Sequence, residues 1–306
     1  MSGGHSHSPA PTATGRHRKR LLLVVGITLA VFVAEVIGGL LSGSLALLAD
    51  AGHMLTDSTG LVIALVATSL AARPATTERT YGLQRVEVLA ALTNGLLLVG
   101  VAVWVLLRAI DRWNRPVDIS SQLMLWVAVA GACANAAGLL ILRGAQAESL
   151  NLRGAYLEVL GDLLGSIAVV VAALVITFTG YTRADSLASI AIFVLIVPRA
   201  WSLLRDVVDV LLEATPRSVN LDQVRRHILE VPGVVDVHDL HAWTITSGVH
   251  VLSAHVVVDD NCIRDGRTGQ VLDRLGACLG DHFDVEHCTF QLEPTSHQAH
   301  EAAHHR

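Results

Sequence analysis

The chain has 306 residues, of which 52% are hydrophobic and only 16% are charged, and its mean hydropathy is +0.52. Soluble globular proteins average about 25% charged residues, so this composition favours lipid-facing helices over a packed aqueous core. The apolar content argues against a disordered chain, and the formal net charge of -5 argues against a nucleic-acid partner. Four scattered cysteines are too few for a disulfide scaffold.

Six stretches are long and apolar enough to cross a bilayer, which takes about 20 residues each. They lie at residues 21–41, 44–72, 87–110, 122–142, 156–179 and 184–204. An even number of spans places both termini on one side of the membrane. The segments on that side carry most of the Lys and Arg residues near the spans, which is typical of cytoplasmic loops. Both termini are therefore predicted to be cytoplasmic, with the spans in an inner, or plasma, membrane.

The composition changes near residue 205, where the apolar spans give way to a polar segment. We predict a disordered N-terminus (1–20), a six-helix membrane domain (21–205), a cytoplasmic regulatory and dimerisation domain (206–295) and a disordered His-bearing tail (296–306). Within the cytoplasmic domain, the apolar periodicity predicts the order αββαβ, with a hairpin at residues 246–248. This order predicts a small α+β domain in which helices cover one face of a sheet.

Two of the spans carry ionisable pairs at the same spacing. His53 and Asp57 lie four residues apart in the second span, and Glu158 and Asp162 repeat that spacing in the fifth. Residues four apart share one face of a helix, and ionisable groups inside a membrane usually mark a pathway or a site. Imidazole and carboxylate ligands suit a divalent transition metal such as Zn²⁺. The two facing pairs are therefore predicted to supply four ligands to one ion.

The charge of this predicted site links the metal to protons. Three carboxylates exceed the charge of one divalent ion, and an excess charge is unfavourable in a medium of low dielectric constant. We therefore expect one proton to remain on the site, so that metal and protons compete for the same groups. Competition of this kind lets a proton gradient drive metal the other way.

Other polar residues in the spans carry weaker signals. Glu35 fits either a lining of the pathway or a hydrogen bond to a neighbouring helix. Asn94 and Asn135 are typical of hydrogen bonds between helices, and Asp185 of a solvated helix start. Pro198 predicts a kink in the last span.

Four long segments of the chain read SLALLADAGHMLTDSTGL, ERTYGLQRVEVLAALTNG, ESLNLRGAYLEVLGDLLGS and VHDLHAWTITSGVHVLSAHVVV. In this order they resemble the cation diffusion facilitator family, in particular its bacterial zinc, cobalt and cadmium efflux members. The resemblance implies a homodimer with a metallochaperone-like, ferredoxin-type cytoplasmic domain. It implies an exporter that exchanges cytosolic Zn²⁺ for protons by alternating access. It also implies a transport site in the second and fifth spans, which matches the two ionisable pairs.

The chain departs from the family pattern in two places. Zinc-selective members often have His where this chain has Glu158, so Co²⁺ and Cd²⁺ become more plausible co-substrates. The loop between the second and third spans reads RPATTERTYGLQR, without His, so no second metal site is predicted there. The same loop ends in Arg85, and the resemblance implies a pair with Glu213 or Asp209 that locks the dimer. A plain cytoplasmic-side arginine without a fixed partner is the alternative.

The cytoplasmic domain is rich in histidine. In VHDLHAW, His238 and His241 are three apart and are predicted on opposite faces of a strand. The resemblance implies a regulatory metal site at His238, His255, His287 and Glu293, with ordinary polar strand positions as the alternative. Histidines also lie near both ends of the chain, but they are not assigned to a site.

Three classes of protein remain to be compared. An intramembrane metalloenzyme is not favoured because HExxH is absent from the chain, so no enzymatic activity is predicted. A membrane-bound metal sensor without transport is the main alternative to a proton-coupled exporter. Sensing cytosolic metal does not need ligands in the middle of the membrane, so the paired intramembrane residues favour export.

Overall fold

The computed structural model of the chain describes residues 18–144, 150–282 and 287–297. It begins with six long helices, all apolar enough to cross a membrane. They are α1 (Arg18–Ser42), α2 (Leu45–Ala71), α3 (Val86–Asn114), α4 (Ser121–Leu142), α5 (Leu150–Thr179) and α6 (Arg183–Leu211). The six predicted spans are therefore confirmed as helices.

The ends of the helices differ from the prediction in two places. Helix α1 begins at Arg18, so the last residues of the predicted disordered segment 1–20 are helical. Residues 1–17 and 298–306, where the rest of the predicted disorder falls, lie outside the described residues. Helix α6 continues past the predicted span end at residue 204 to Leu211, because hydropathy falls there while helix-forming residues continue.

Small residues allow the membrane helices to approach closely. Helix α4 packs against both α1 and α5. At Gly38 of α1, an added Cβ would lie 2.7 Å from a methyl carbon of Val127 in α4, so the two backbones meet where the side chain is missing. Asn135 of α4 donates a hydrogen bond to Ser166 of α5 over 3.4 Å, as predicted for an interhelical contact.

Asp185, at the start of α6, is not a solvated helix start, and that prediction is wrong. The residue is 1% exposed and lies over the N-terminus of α2. Its carboxylate accepts hydrogen bonds from the backbone N–H groups of Leu45 and Ala46 at 2.8 and 3.1 Å and from the Ser44 hydroxyl at 2.6 Å. Helix N-termini leave such N–H groups without partners, and a carboxylate there is also favoured by the helix dipole. Asp185 therefore caps a neighbouring helix.

Arg112 of α3 completes this capping arrangement. Its guanidinium lies 3.4 Å from the Asp185 carboxylate and donates a hydrogen bond of 2.6 Å to the carbonyl of Gly43. Asp185 and Arg112 together thus join α3 to three other segments. These are the loop between α1 and α2, the start of α2 and the start of α6. The arginine neutralises a charge that would otherwise be costly to bury.

The cytoplasmic segment forms a small α+β domain, as predicted. Its elements are α7 (Leu221–Leu229), β1 (Val234–Thr246), β2 (Val249–Val258), α8 (Asp260–Arg264), α9 (Thr268–His282) and β3 (His287–Pro294). The strand order is β1-β2-β3, with β1 and β2 antiparallel and β2 and β3 parallel. Compared with the predicted αββαβ order, the short helix α8 is additional.

One face of this sheet forms the core of the domain. Leu252, Ala254 and Val256 alternate along β2 and are buried in one hydrophobic cluster with Ile228 of α7 and Leu275 of α9. Residues between them on β2, His255 among them, point to the opposite face because side chains alternate along a strand. That second face of β2 carries Ser253 and His255 together with Val251 and Val257.

Strand β1 contains an irregularity that moves its histidines onto one face. Cα pairing joins His238 to His255 and His241 to Ser253, so two residues on β1, Asp239 and Leu240, oppose the single residue Ala254 on β2. Asp239 lies in the bulge with a φ of 49°, in the left-handed region that Asp tolerates better than most residues. His255 and Ser253 share a face of β2, so His238 and His241 share a face of β1. The prediction of opposite faces is wrong because a regular strand was assumed.

The loop before α3 contacts the cytoplasmic segment at a predicted ion pair. Arg85 and Glu213 lie 3.0 Å apart, whereas Asp209 pairs with Arg217 at 3.1 Å. The Arg85–Glu213 alternative is therefore the one that the structure contains. Both side chains are about half exposed, and exposed pairs contribute about 0–1 kcal/mol, so this pair orients the loop more than it stabilises the fold.

Candidate metal sites

The first ionisable pair lies on α2, with both side chains largely buried. His53 Nε2 is 3.6 Å from a carboxylate oxygen of Asp57, as the i, i+4 spacing predicts. His53 Nδ1 and Asp57 Oδ1 are buried and have no hydrogen-bond partner among the described residues. Buried polar atoms are normally paired, so these two atoms are free to accept a proton or to coordinate a cation.

The second pair lies on α5 and shares a cavity with Asp57. A cavity of about 350 Å³ is lined by residues of α1, α2 and α5, among them Asp57, Glu158 and Asp162. Asp162 is 2% exposed, and its Oδ1 has no hydrogen-bond partner among the described residues. Three of the four predicted ligands therefore line one cavity, and the fourth, His53, contacts one of them.

Arg199 of α6 contacts one acidic residue of each predicted pair. Its Nη1 donates to Asp57 Oδ2 over 3.0 Å, and its Nη2 lies 3.6 Å from Glu158 Oε1. The Arg199 side chain is 48% exposed, whereas the Asp57 side chain is 7% exposed. One guanidinium thus joins both helices of the predicted site, and the sequence prediction did not include it.

No three of the four predicted ligands have ligand atoms that all lie within 4.8 Å of one another. Within the described ranges, the only group of three or more His, Cys, Asp and Glu residues whose ligand atoms all lie within 4.8 Å of one another is in the cytoplasmic domain. The guanidinium of Arg199 contacts both Asp57 and Glu158. A metal ion at this site would have to replace that cation and draw the carboxylates inward.

A further buried polar group adjoins the pair on α5. Ser166 Oγ lies 3.5 Å from Asp50 Oδ2 and accepts the hydrogen bond from Asn135. Asp50 and Glu35 are each 1% exposed, and their carboxyl groups interact with each other. Asp50 is buried against α5, which adds an acidic group beside the predicted site.

Gly165 makes this contact between α2 and α5 possible. An added Cβ at Gly165 would overlap the Asp50 carboxylate, whereas an added Cβ at Gly161, one turn away, would meet nothing within 4 Å. We expect Gly165→Ala to separate the two helices and to reduce at least tenfold the metal export that the resemblance implies, because coordination geometry is sensitive to shifts of about 1 Å. Gly161→Ala is the matched control in a cellular metal-resistance assay. Equal resistance in the two variants would contradict the close-contact role of Gly165.

The cytoplasmic cluster lies on the sheet face opposite the helices. His255 Nδ1 is 2.8 Å from Glu293 Oε1, and His238 Nε2 is 3.3 Å from Glu293 Oε2. His238 and Glu293 are buried, at 5% and 2% exposed, and the two imidazole rings meet edge to face. Strand pairing brings the three residues together, since His238 is opposite His255 and Glu293 is opposite Val257. Two imidazoles and one carboxylate form a donor set that suits Zn²⁺.

His287, the fourth residue predicted for this site, lies elsewhere. It pairs with Val251 at the start of β3, and its exposed ring contacts Tyr81 at 5.7 Å between centroids. Asp239, which the prediction missed, lies nearer: its carboxylate is 3.7 Å from His255 Nε2 and 2.8 Å from His241 Nε2. Only the bulge in β1 turns Asp239 and His241 toward this face, so a regular alternation of side chains could not reveal them.

Cys288 does not extend the cluster. It packs with the hydrophobic core on the helix side of the sheet, and burial raises the pKa of its thiol. A raised pKa keeps the thiol protonated at neutral pH, whereas metal coordination requires a thiolate. The donor set of the cytoplasmic cluster is therefore imidazole and carboxylate.

The six apolar helices and the small α+β domain define a multi-pass membrane protein. The buried imidazole and carboxylate groups within the helices are donors of the kind that suit divalent metals. The chain matches the cation efflux transmembrane domain over residues 21–212 and the cation efflux protein cytoplasmic domain over residues 216–295. The chain belongs to the cation efflux, or cation diffusion facilitator, family.

Three relatives resemble the chain over nearly its full length. It is 43% identical to the metal cation efflux system protein CzcD of Cupriavidus metallidurans, over 100% of this chain and 94% of that protein. It is 40% identical to the zinc transporter ZitB of Escherichia coli, over 96% and 93%. It is 36% identical to a cadmium, cobalt and zinc/H⁺-K⁺ antiporter of Bacillus subtilis, over 96% and 93%.

Proposed function

We propose that this chain exports Zn²⁺ from the cytoplasm in exchange for protons, with Co²⁺ and Cd²⁺ as further substrates. Family membership and the names of the relatives make it a metal cation efflux transporter. Those names give no support to a sensor without transport or to an enzyme. The choice of Zn²⁺ as the main substrate rests on the zinc transporter among the relatives and on the imidazole–carboxylate donor set.

The transported ion is proposed to bind to His53, Asp57, Glu158 and Asp162. The observation that carries this assignment is a set of buried polar atoms without partners, on His53, Asp57 and Asp162, inside helices that cross a membrane. Unpaired polar atoms are costly in such a setting unless a proton or a cation binds to them. A proton-coupled antiporter has both protons and metal ions available, and each would bind in turn to these same polar atoms.

The proposed cycle follows from this competition. Metal enters from the cytoplasm and displaces protons from the imidazole and the carboxylates. Rocking of the helices then exposes the site to the other side, where protons displace the metal. Both termini are proposed to be cytoplasmic, in an inner membrane, so that the 206–295 domain meets cytosolic metal.

The cytoplasmic domain is proposed to bind regulatory metal and to hold a homodimer together. His238, His255 and Glu293 are the proposed ligands, with the Asp239 carboxylate orienting the His255 ring through its other nitrogen. The family description of this domain as the cytoplasmic domain of a cation efflux protein supports its assignment as a separate unit. The Arg85–Glu213 pair is proposed to fix the loop near this domain in the dimer.

The test compares the membrane site with the cytoplasmic cluster in inside-out vesicles. With an imposed proton gradient, wild type should take up Zn²⁺, and His255→Ala should retain part of that uptake. Asp57→Asn should remove it, because the transported ion loses a ligand. No uptake in folded wild type, together with Zn²⁺ binding that depends only on His255, would indicate a sensor instead of a transporter.

Glu158 is proposed to widen the metal selectivity. Glu158→His replaces a hard carboxylate with an imidazole, which favours Zn²⁺ over Co²⁺ and Mn²⁺, whereas the loss of one negative charge affects all three divalent ions alike. We expect the ratio of Zn²⁺ to Co²⁺ uptake to rise about tenfold in the variant, which corresponds to about 1.4 kcal/mol of discrimination. Glu158→Gln is the control, since it removes the charge without adding an imidazole. An unchanged ratio in Glu158→His would contradict the proposal.

A further inference from the structure

We propose that Arg199 is an internal counter-cation of the transport site, which occupies the metal-free site and is displaced when metal binds. This inference rests on the proposed function, because it concerns the same four ligands. The guanidinium contacts Asp57 at 3.0 Å and approaches Glu158 at 3.6 Å. It therefore holds one carboxylate from each of the two helices that would ligate a metal ion.

The contact is unlike an ordinary surface ion pair. Exposed pairs contribute little because water screens both charges. Here the Asp57 carboxylate is 7% exposed, so only the arginine end of the pair faces open space. A long side chain can keep its stem outside while its charged end reaches a buried group. Arg199 thus places a positive charge from the rim of the helix bundle beside the buried Asp57 carboxylate.

The planar guanidinium also suits a bridging role. Its two terminal nitrogens contact two different helices, α2 through Asp57 and α5 through Glu158. A lysine ammonium is a single point charge and cannot span the pair in the same way. Arg199 follows Pro198, and a proline removes one helical hydrogen bond from its own helix. That local freedom would let the arginine leave the site without unwinding α6.

The consequence is that metal and Arg199 exclude one another. A divalent ion bound to Asp57 and Glu158 would repel the guanidinium at a distance of a few ångströms, so binding has to expel it. The arginine then lowers the affinity for metal and neutralises part of the acidic site during the metal-free half of the cycle. A transporter gains from both effects, because tight binding slows release and an uncompensated charge hinders the return step.

Equilibrium binding of Zn²⁺ to the purified full-length chain tests this inference. The membrane-site portion of the binding is defined as the part lost in Asp162→Asn. We expect Arg199→Gln to bind Zn²⁺ at that site at least tenfold more tightly than wild type, with both the KM and the maximal rate of vesicle uptake reduced. Arg199→Lys should fall between the two, because it keeps the charge but loses the bridge.

Arg205→Gln is the matched control, since Arg205 is another exposed arginine of α6. The affinity of this variant for Zn²⁺ should stay within twofold of wild type. Unchanged or weaker Zn²⁺ binding in folded Arg199→Gln would overturn the counter-cation role while leaving the four proposed ligands in place. If Asp162→Asn instead loses no Zn²⁺ binding, the proposed transport site itself fails. The two failures are therefore distinguishable in one set of measurements.

Discussion

Asp162→Asn is expected to abolish metal export while leaving the protein folded in the membrane. The amide has the shape of the carboxylate but supplies no negative charge, so an ion held by the four proposed ligands would lose one of its anionic donors. Perturbing even the groups around metal ligands typically costs 10- to 100-fold in affinity or activity, so we expect a loss of at least about 100-fold here. Vesicle uptake of Zn²⁺ under a proton gradient measures the effect.

Two controls separate loss of the site from loss of the fold. Asp111→Asn changes an exposed aspartate of α3 and should leave uptake unchanged. In Asp162→Asn itself, Zn²⁺ binding at His238, His255 and Glu293 should persist, because those residues lie in the separate sheet domain. Full export by Asp162→Asn would show that Asp162 is not a ligand of the transported ion.

Asp185→Ala is expected to produce the largest loss of stability, with no direct effect on metal coordination. The substitution leaves the N–H groups of Leu45 and Ala46 and the Ser44 hydroxyl without their acceptor in a buried setting. Each unsatisfied buried group costs about 1–3 kcal/mol, and the guanidinium of Arg112 loses its partner as well. We therefore expect poor accumulation of folded protein and a clearly lower thermal midpoint.

Thermal unfolding of detergent-purified protein, followed by size-exclusion chromatography, measures this effect. Asp111→Ala removes an exposed aspartate and should shift the midpoint little. Asp185→Asn should fall between wild type and Asp185→Ala, because an amide oxygen still accepts hydrogen bonds but no longer neutralises Arg112. Equal midpoints for Asp185→Ala and Asp111→Ala would contradict the capping role.

The parts of the site that follow helical periodicity were predictable from the sequence. The spacing of His53 and Asp57 places them on one face of a helix, and the structure holds them 3.6 Å apart. The six spans follow from hydropathy alone, since a membrane helix must be apolar along its whole length. The αββαβ order follows from alternation of apolar residues and from the Thr246-Ser247-Gly248 turn.

The parts that depend on packing between distant segments were not predictable in this way. Arg199 lies 142 positions from Asp57, and its place after an apolar run is equally typical of a cytoplasmic-side arginine. Asp185 meets the start of α2 across 140 positions. Local patterns contain no information on such contacts, because they arise only when the helices assemble.

The β-bulge shows a third limit of pattern analysis. One extra residue at Asp239 reverses the alternation of side chains beyond it, so His241 shares a face with His238. No glycine marks this position, and the positive φ falls on an aspartate. The register with β2 and β3, and not the spacing within β1, decides which groups surround the cytoplasmic cluster.

Simultaneous recording of metal and proton movement tests proton-coupled export most directly. The purified protein is placed in liposomes that contain a zinc-sensitive dye and a pH-sensitive dye, with Zn²⁺ outside and an acidic interior. We predict that Zn²⁺ enters through chains whose cytoplasmic side faces outward while protons leave the liposome, and that Asp162→Asn removes both signals together. Entry of Zn²⁺ without any proton movement, or equal signals in wild type and Asp162→Asn, would contradict proton-coupled export through this site.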